Sequence, residues 1–381
     1  MVVAILMSGV LSGLLGACAP QPLLPFTTDT PPAMLTVAGP ASGIDDQRAR
    51  FRQILCAVAE DHGRRLPDYR DCAQLLWRLG GEAEVPADHV YLGPPRLPLR
   101  VVVIGGLAAE CAAGFVPTLP SAIRHLNDLG YSASELPVSG LGSTTFNGRL
   151  IADAVLRMDL AKNERLILLG YSKGLPDILE GLADSPDAAR RVSAVVGLAG
   201  AVNGSPLTEN APEELFSPLL QYLLPDDCRV GDGEALDSLR QGRRLTWMST
   251  HALPRDVRYF SLGVFAERER ISQALRGNHD RLSLMDPRND GQLLVQDQII
   301  PGSTLLGYIN ADHWAVTMPI NRAYPTLSMA FANRSPFPRE ILLEAIVRDV
   351  EESLIKAGTK PSGRVGPQTA KPPGGPTATS G

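Results

Sequence analysis

The sequence predicts an α/β fold, a mostly parallel β-sheet with helices on both faces. Three observations carry that prediction. From Arg100 onward, strand-like and helix-like segments alternate along the chain. The strand-like runs "RVVVIGG", "RLILLG" and "SAVVGLAGAV" are apolar almost throughout, as strands covered on both faces must be. The chain has 381 residues, 44% of them hydrophobic, and a net charge of −5, enough for one large α/β domain with smaller additions.

The opening segment, "MVVAILMSGVLSGLLGACAP", is apolar and uncharged up to Cys18, and is short for a bilayer-spanning helix. Its end, Leu15-Gly16-Ala17-Cys18, resembles the bacterial lipobox: a branched residue, two small ones, then cysteine. The resemblance implies that 1–18 is a lipoprotein signal and that Cys18 is lipidated as the mature first residue. The protein would then be a lipoprotein anchored to a membrane, facing the periplasm or cell surface. An ordinary secretory signal cut near Ala17 or Ala19 and a short membrane anchor are the alternatives, and all three export the chain. Residues 19–47, rich in Pro, Thr, Gly and Ala, read as a flexible tether.

Residues 48–95 form a helical N-terminal extension. Within it "FRQILCAVAEDHGRRLPDYRDCAQLLWRL" predicts two short helices, broken near Gly63 to Pro67. The main domain is expected over 96–358. "RVVVIGG" is its first strand, and "LPSAIRHLNDLGY" a helix stopped by glycine. "SELPVSG" reads as a strand. "NGRLIADAVLRMDL" reads as a helix, with apolar residues at 150, 151, 154, 155 and 158 and Asn147 as N-cap. "RLILLG" (strand), "LPDILEGLA" (helix) and "SAVVGLAGAV" (strand) follow. The pattern loosens over about 205–254, read as a cap insertion whose helical pieces are "EELFSPLLQYLL" and "ALDSLRQGRRLTWMSTH". "VRYFSLGVFA" and "TLLGYI" supply two further strands. "REILLEAIVRDVEESLIKAG" is a closing helix with Gly358 at its end, and 359–381 reads as a disordered tail.

In an exported protein the remaining cysteines, Cys56, Cys72, Cys111 and Cys228, favour disulfides. Cys56–Cys72 is the favoured pair, with Cys111–Cys228 as the remainder; four buried free thiols are the alternative. No C-x-x-C or His/Cys spacing suggests zinc, and no metal or cofactor is expected. No basic stripe supports nucleic-acid binding. Gly105-Gly106 leads into Leu-Ala-Ala-Glu without completing G-x-G-x-x-G, which argues against a dinucleotide site.

The stretch "LILLGYSKGLPDILEGL" places Ser172 between Gly170 and Gly174, with a strand before it and a helix after it. That is the context of a nucleophile elbow, whose tight turn lifts a serine above the sheet edge and needs small neighbours. The helix that follows aims free N–H groups at developing negative charge.

The order of elements resembles the α/β-hydrolase superfamily, and within it the bacterial lipase and esterase branch, over about Arg100 to Gly358. "VVVIGGL" matches the strand whose following loop supplies an oxyanion hole, and "VSGLGSTTFNGRLIADAV" the strand and helix before the elbow strand. "GAVNGSPLTENAPEEL" is similar to the strand end leading into the cap. "NDGQLLVQDQIIPGS" and "NADHWAV" look like the late acid and base loops. The resemblance implies a helical cap insertion and a triad in the order Ser, acid, His. His313 has the position and flanking residues of the base, whereas His62, His89, His125, His251 and His279 do not. Asp290, in Asn289-Asp290-Gly291, is the chosen acid over Asp280, Asp286, Asp297 and Asp312. The oxyanion hole would use the N–H of Lys173 and that of Leu107 or Gly106. The Lys173 ammonium is expected in solvent, with help in binding anionic groups as the alternative. The expected activity is hydrolysis of carboxylic esters, lipid-like ones included, by an exported serine hydrolase. An acyltransferase or peptidase on the same fold, or a non-catalytic surface lipoprotein, is the alternative.

Overall fold

The computed structural model describes residues 44–109, 118–209, 231–323, 325–326 and 336–359. Cys18 and the signal, nearly all of the tether, Cys111, Cys228, "EELFSPLLQYLL" and the tail beyond Thr359 lie outside the described residues. Seven strands form one parallel sheet in the order β1-β7-β6-β5-β4-β2-β3. The strands are β1 (Asp45–Asp46), β2 (Leu99–Ile104), β3 (Ser132–Glu135), β4 (Arg165–Tyr171), β5 (Val192–Leu198), β6 (Arg258–Phe265) and β7 (Thr304–Asn310).

The sheet is buried on both faces because alternate residues of each strand feed different cores. Val101 and Val103 of β2 join Ile167 and Leu169 of β4 in one apolar cluster. Helices α1 (Arg48–Asp61), α2 (Pro120–Asp128) and α7 (Arg339–Thr359) cover that face. Val102 and Ile104 join Leu166 and Leu168 in another cluster. There α3 (Thr144–Arg157), α4 (Gly174–Asp184) and α5 (Gln241–Thr250) close the layer. Helices α3 and α4 meet glycine to glycine: a Cβ on Gly181 would stand 2.4 Å from the Gly148 carbonyl oxygen. A further helix, α6 (Arg276–Ser283), precedes the loop that carries Asp290.

Local readings shift in four places. The strand read as "SELPVSG" lies earlier, at Ser132–Glu135, because Pro137 has no N–H for a ladder. Helix α3 begins three residues before Asn147. Its N-cap is Ser143, whose Oγ accepts from the Phe146 N–H at 3.0 Å. Asn147 instead sits buried in the first turn, where its Oδ1 accepts from the Ser139 N–H at 3.1 Å. The second N-terminal helix is only a short 3₁₀ turn, Cys72–Gln74. The chain then runs beside β7, where the Trp77 N–H donates to the Tyr308 carbonyl at 2.8 Å. Helix α7 continues through Gly358 to Thr359.

The end of the segment read as a flexible tether is a strand of the sheet, and the extension that follows packs against it. Asp45–Asp46 pairs with Thr304–Leu305 of β7, and Phe51, Ile54, Leu55 and Val58 are buried in the same cluster as Ile341 and Ile346 of α7. Cys56 and Cys72 form a disulfide that ties α1 to the 3₁₀ turn. No helix among the described residues is long and apolar enough to cross a membrane.

Candidate active site

The turn at Ser172 is produced by close backbone approach. A Cβ on Gly170 would lie 2.5 Å from Leu175 Cα, and one on Gly174 2.5 Å from the carbonyl oxygens of Ile104 and Gly105. Strand β4, helix α4 and the end of β2 therefore fit together only with glycines on either side of the serine. Ser172 itself has φ 54°, a left-handed conformation that a non-glycine residue adopts at a cost. Three backbone bonds hold it: its N–H donates to the Leu198 carbonyl at 3.3 Å, and its carbonyl accepts from the N–H groups of Leu175 at 3.3 Å and Ala201 at 3.0 Å.

His313 follows β7. Its Nε2 lies 2.9 Å from Ser172 Oγ, and its Nδ1 lies 2.6 Å from Asp290 Oδ2. A carboxylate only accepts, so Nδ1 carries the proton and Nε2 offers a lone pair to the serine hydroxyl. Asp290 is fully buried and held by a local turn. Its Oδ1 accepts from the N–H groups of Gln292 at 2.9 Å and Leu293 at 2.7 Å. Gly291 turns the chain with φ 89°. The His313 N–H donates to the Asp290 carbonyl at 2.9 Å, so the acid and base loops are also joined through the backbone.

The other aspartates considered lie elsewhere. Asp280 pairs with Arg268 and Asp286 with Arg288. Asp297 accepts from Gln241 Nε2 at 2.7 Å, and burial pushes its carboxyl up to about 7. Asp312 turns away from His313 and accepts from the Ser272 and Ala315 N–H groups, both at 2.6 Å. Burial raises its carboxyl.

Lys173 departs from expectation. Its side chain is 1% exposed and its Nζ donates to both Asp177 oxygens, at 2.7 and 3.0 Å. The reason is spacing: Asp177 lies one helical turn on, so the ammonium folds back along α4 rather than outward. Asn147 Nδ2 donates to Asp177 at 2.9 Å. Burial pushes the Asp177 carboxyl up to about 6 despite the opposing pull of Lys173. Below it, Glu180 accepts from Thr144 at 2.6 Å, Thr145 at 2.9 Å, and Arg244.

At the end of β2, a Cβ on Gly106 would stand 2.8 Å from Ser172 Cβ, so the turn brings its backbone against the serine. The N–H groups of Ala108 and Ala109 are taken by the carbonyls of Gly140 at 2.9 Å and Gly106 at 3.2 Å. Ser172 and His313 open into a cavity of about 400 Å³, with Leu107, Leu207, Leu236, Leu239, Leu293 and Met318 in its wall.

Sequence reasoning missed two supporting groups. The Tyr171 hydroxyl donates to the His313 carbonyl at 2.6 Å, with ring centroids 5.1 Å apart. Gln298 bridges the Val264 backbone, at 2.7 and 2.9 Å, and reaches Asp290 Oδ2 at 3.4 Å. Neither carries a local sequence signal. The Lys173–Asp177 pair does, as two opposite charges four apart at the start of α4. The His62, His125 and Glu344 side chains cluster outside the cavity wall.

Among solved structures, a metagenomic carboxyl esterase is 40% identical, over 83% of this chain and 96% of its own, with a TM-score of 0.77. The chain belongs to the α/β-hydrolase family, in its esterase and lipase branch. Two other solved structures resemble this α/β-hydrolase more distantly. A Bacillus licheniformis lipase in its mature form is 22% identical, over 60% of this chain and 89% of its own, with a TM-score of 0.47. Lipase 1 from Pelosinus fermentans is 10% identical, over 68% and 98%, with a TM-score of 0.46. No family model matches this α/β-hydrolase, and no curated protein matches it.

Proposed function

We propose that this α/β-hydrolase is an exported carboxylic-ester hydrolase working through an acyl-enzyme on Ser172. The observation that carries the reading is the unbroken line Ser172 Oγ, His313 Nε2, His313 Nδ1, Asp290 Oδ2, with steps of 2.9 and 2.6 Å. His313 takes the hydroxyl proton as Oγ attacks the ester carbonyl, and Asp290 steadies the imidazolium that forms. The tetrahedral oxyanion rests on the N–H of Lys173 and that of Leu107 or Gly106. His313 then protonates the leaving alcohol, and water, deprotonated by the same imidazole, releases the acid. The leucine-lined cavity suits an apolar acyl or alkyl group. The 40% identity to a carboxyl esterase supports ester cleavage over the acyltransferase, peptidase and binding-protein readings. Attachment to a membrane through a lipid on Cys18, facing the periplasm or cell surface, rests on Leu15-Gly16-Ala17-Cys18.

A fluorophosphonate probe tests the nucleophile: it should label the wild type and leave Ser172→Ala unlabelled, and failure to label the wild type defeats the proposal. p-Nitrophenyl esters of rising chain length, beside a peptide substrate, sort esterase, lipase and peptidase. Tritiated palmitate should enter the wild type and be absent from Cys18→Ser.

A further inference from the structure

Three helices of the α1–α2–α7 layer bring donor atoms to one point. His62 caps the end of α1, His125 lies on α2 and Glu344 on α7. Nε2 of His62 and Nε2 of His125 each stand 2.7 Å from the same oxygen, Glu344 Oε2. All three donor atoms lie within 4.8 Å of one another. The carboxylate is fully buried, whereas the two rings are 15% and 13% exposed, so an ion or water could reach the point from the ring side.

The atoms around His62 and Glu344 follow the outer-sphere pattern of metal sites, in which a ligating imidazole donates its other N–H to a carboxylate and a ligating carboxylate is itself hydrogen-bonded. Asp61 Oδ2 lies 2.8 Å from His62 Nδ1. At these distances both ring nitrogens of His62 donate, Nδ1 to Asp61 and Nε2 to Glu344 Oε2, so an ion bound between the rings and Glu344 would take the place of the Nε2 proton while Asp61 keeps the one on Nδ1. Arg348 Nε donates to the other carboxylate oxygen, Glu344 Oε1, at 2.8 Å, leaving Oε2 as the donor. The remaining Arg348 N–H groups go to the carbonyls of Tyr91, Leu92 and Gly93 at 3.1 to 3.3 Å, so the guanidinium is held in place on the far side of Glu344.

We propose that His62, His125 and Glu344 form a Zn²⁺ site, completed by one water, that clamps the N-terminal helix to α2 and α7. Two imidazole nitrogens and a carboxylate oxygen are a zinc donor set. A tetrahedral ion with bonds of ~2.0–2.1 Å sets its ligand atoms roughly 3.3 Å apart. The rings therefore retreat by roughly half an ångström from their present contacts, a movement open to side chains at the surface. The site is separate from the proposed ester chemistry: none of its residues lines the Ser172 cavity.

The test uses the full chain, stripped with a chelator, loaded with ZnCl₂ and desalted before metal analysis. One zinc per chain should be retained, with a higher unfolding temperature than the stripped protein. His62→Ala, His125→Ala and Glu344→Gln should each weaken binding at least ~100-fold, and Asp61→Asn, at an exposed position, roughly 10–100-fold. Fluorophosphonate labelling checks that each variant is folded; should a ligand variant not fold, Asp61→Asn decides. Cobalt in place of zinc should give visible absorption without thiolate charge-transfer bands. No zinc retained by the wild type, binding unchanged in the histidine variants or in Asp61→Asn, or a thiolate band pointing to cysteine ligands would each overturn the proposal.

Discussion

Replacing Asp290 with asparagine is the sharpest test of how the candidate triad is built, because the structure dictates how the new side chain must sit. Oδ1 accepts from two backbone N–H groups, of Gln292 at 2.9 Å and Leu293 at 2.7 Å. An amide nitrogen there would leave both buried donors unpaired, at about 1–3 kcal/mol each. The asparagine oxygen therefore keeps that place, and its NH₂ group takes the position of Oδ2, 2.6 Å from His313 Nδ1. An NH₂ group donates, so His313 must leave Nδ1 bare and carry its proton on Nε2. That nitrogen, 2.9 Å from Ser172 Oγ, then donates to the serine instead of accepting from it. The base is disabled with its geometry intact, and no buried negative charge remains to steady an imidazolium. Such a tautomer error lowers kcat by about 10⁴, or about 5 kcal/mol in barrier height. The assay is p-nitrophenyl ester hydrolysis at pH 7, normalised by protein concentration, with thermal unfolding to confirm a folded variant. Activity of Asp290→Asn within tenfold of wild type refutes the reasoning.

Three further outcomes follow from the packing. Lys173→Met leaves Asp177 buried without its partner and should cost about 3–5 kcal/mol in denaturant unfolding, while adding Asp177→Asn should restore most of it; equal losses in the single and double variants would reject the pairing. Asp349 is buried with no hydrogen-bond partner among the described residues, and burial, with Glu352 adding to it, pushes its carboxyl up to about 7 from 3.8. Because the folded state holds that proton more tightly than the unfolded chain, stability falls as pH rises from about 4 to 7. At ~1.4 kcal/mol per pH unit, Asp349→Asn should gain up to about 4 kcal/mol at pH 8 and nothing at pH 4, and a gain independent of pH would contradict this. Reduction of Cys56–Cys72, 16 residues apart, should cost about 3 kcal/mol, read as a lower unfolding temperature under thiol and no change in Cys56→Ser.

What the sequence determined by itself is what depends on neighbours along the chain. Runs such as "RVVVIGG" and "RLILLG" are strands because nothing but a doubly covered sheet hides so much apolar surface, and the order of strands and helices then leaves few topologies. The elbow was legible because its glycines answer to backbone crowding between consecutive elements. The start of α3 was not legible: the sequence points to Asn147 as its N-cap, whereas Ser143 caps the helix and Asn147 is drawn into the first turn by the Ser139 backbone. The tertiary structure alone decided the rest. Among five late aspartates, Asp290 stands beside His313 because β6 and β7 carry their loops to the same edge of the sheet, while Asp312, next in sequence, faces Ser272. Lys173 is buried rather than solvated because it pairs with Asp177, which Asn147 of a different helix holds in place. Charges, hydroxyls and imidazoles act over a few ångströms in space, and the distance between residues in sequence carries almost none of that information.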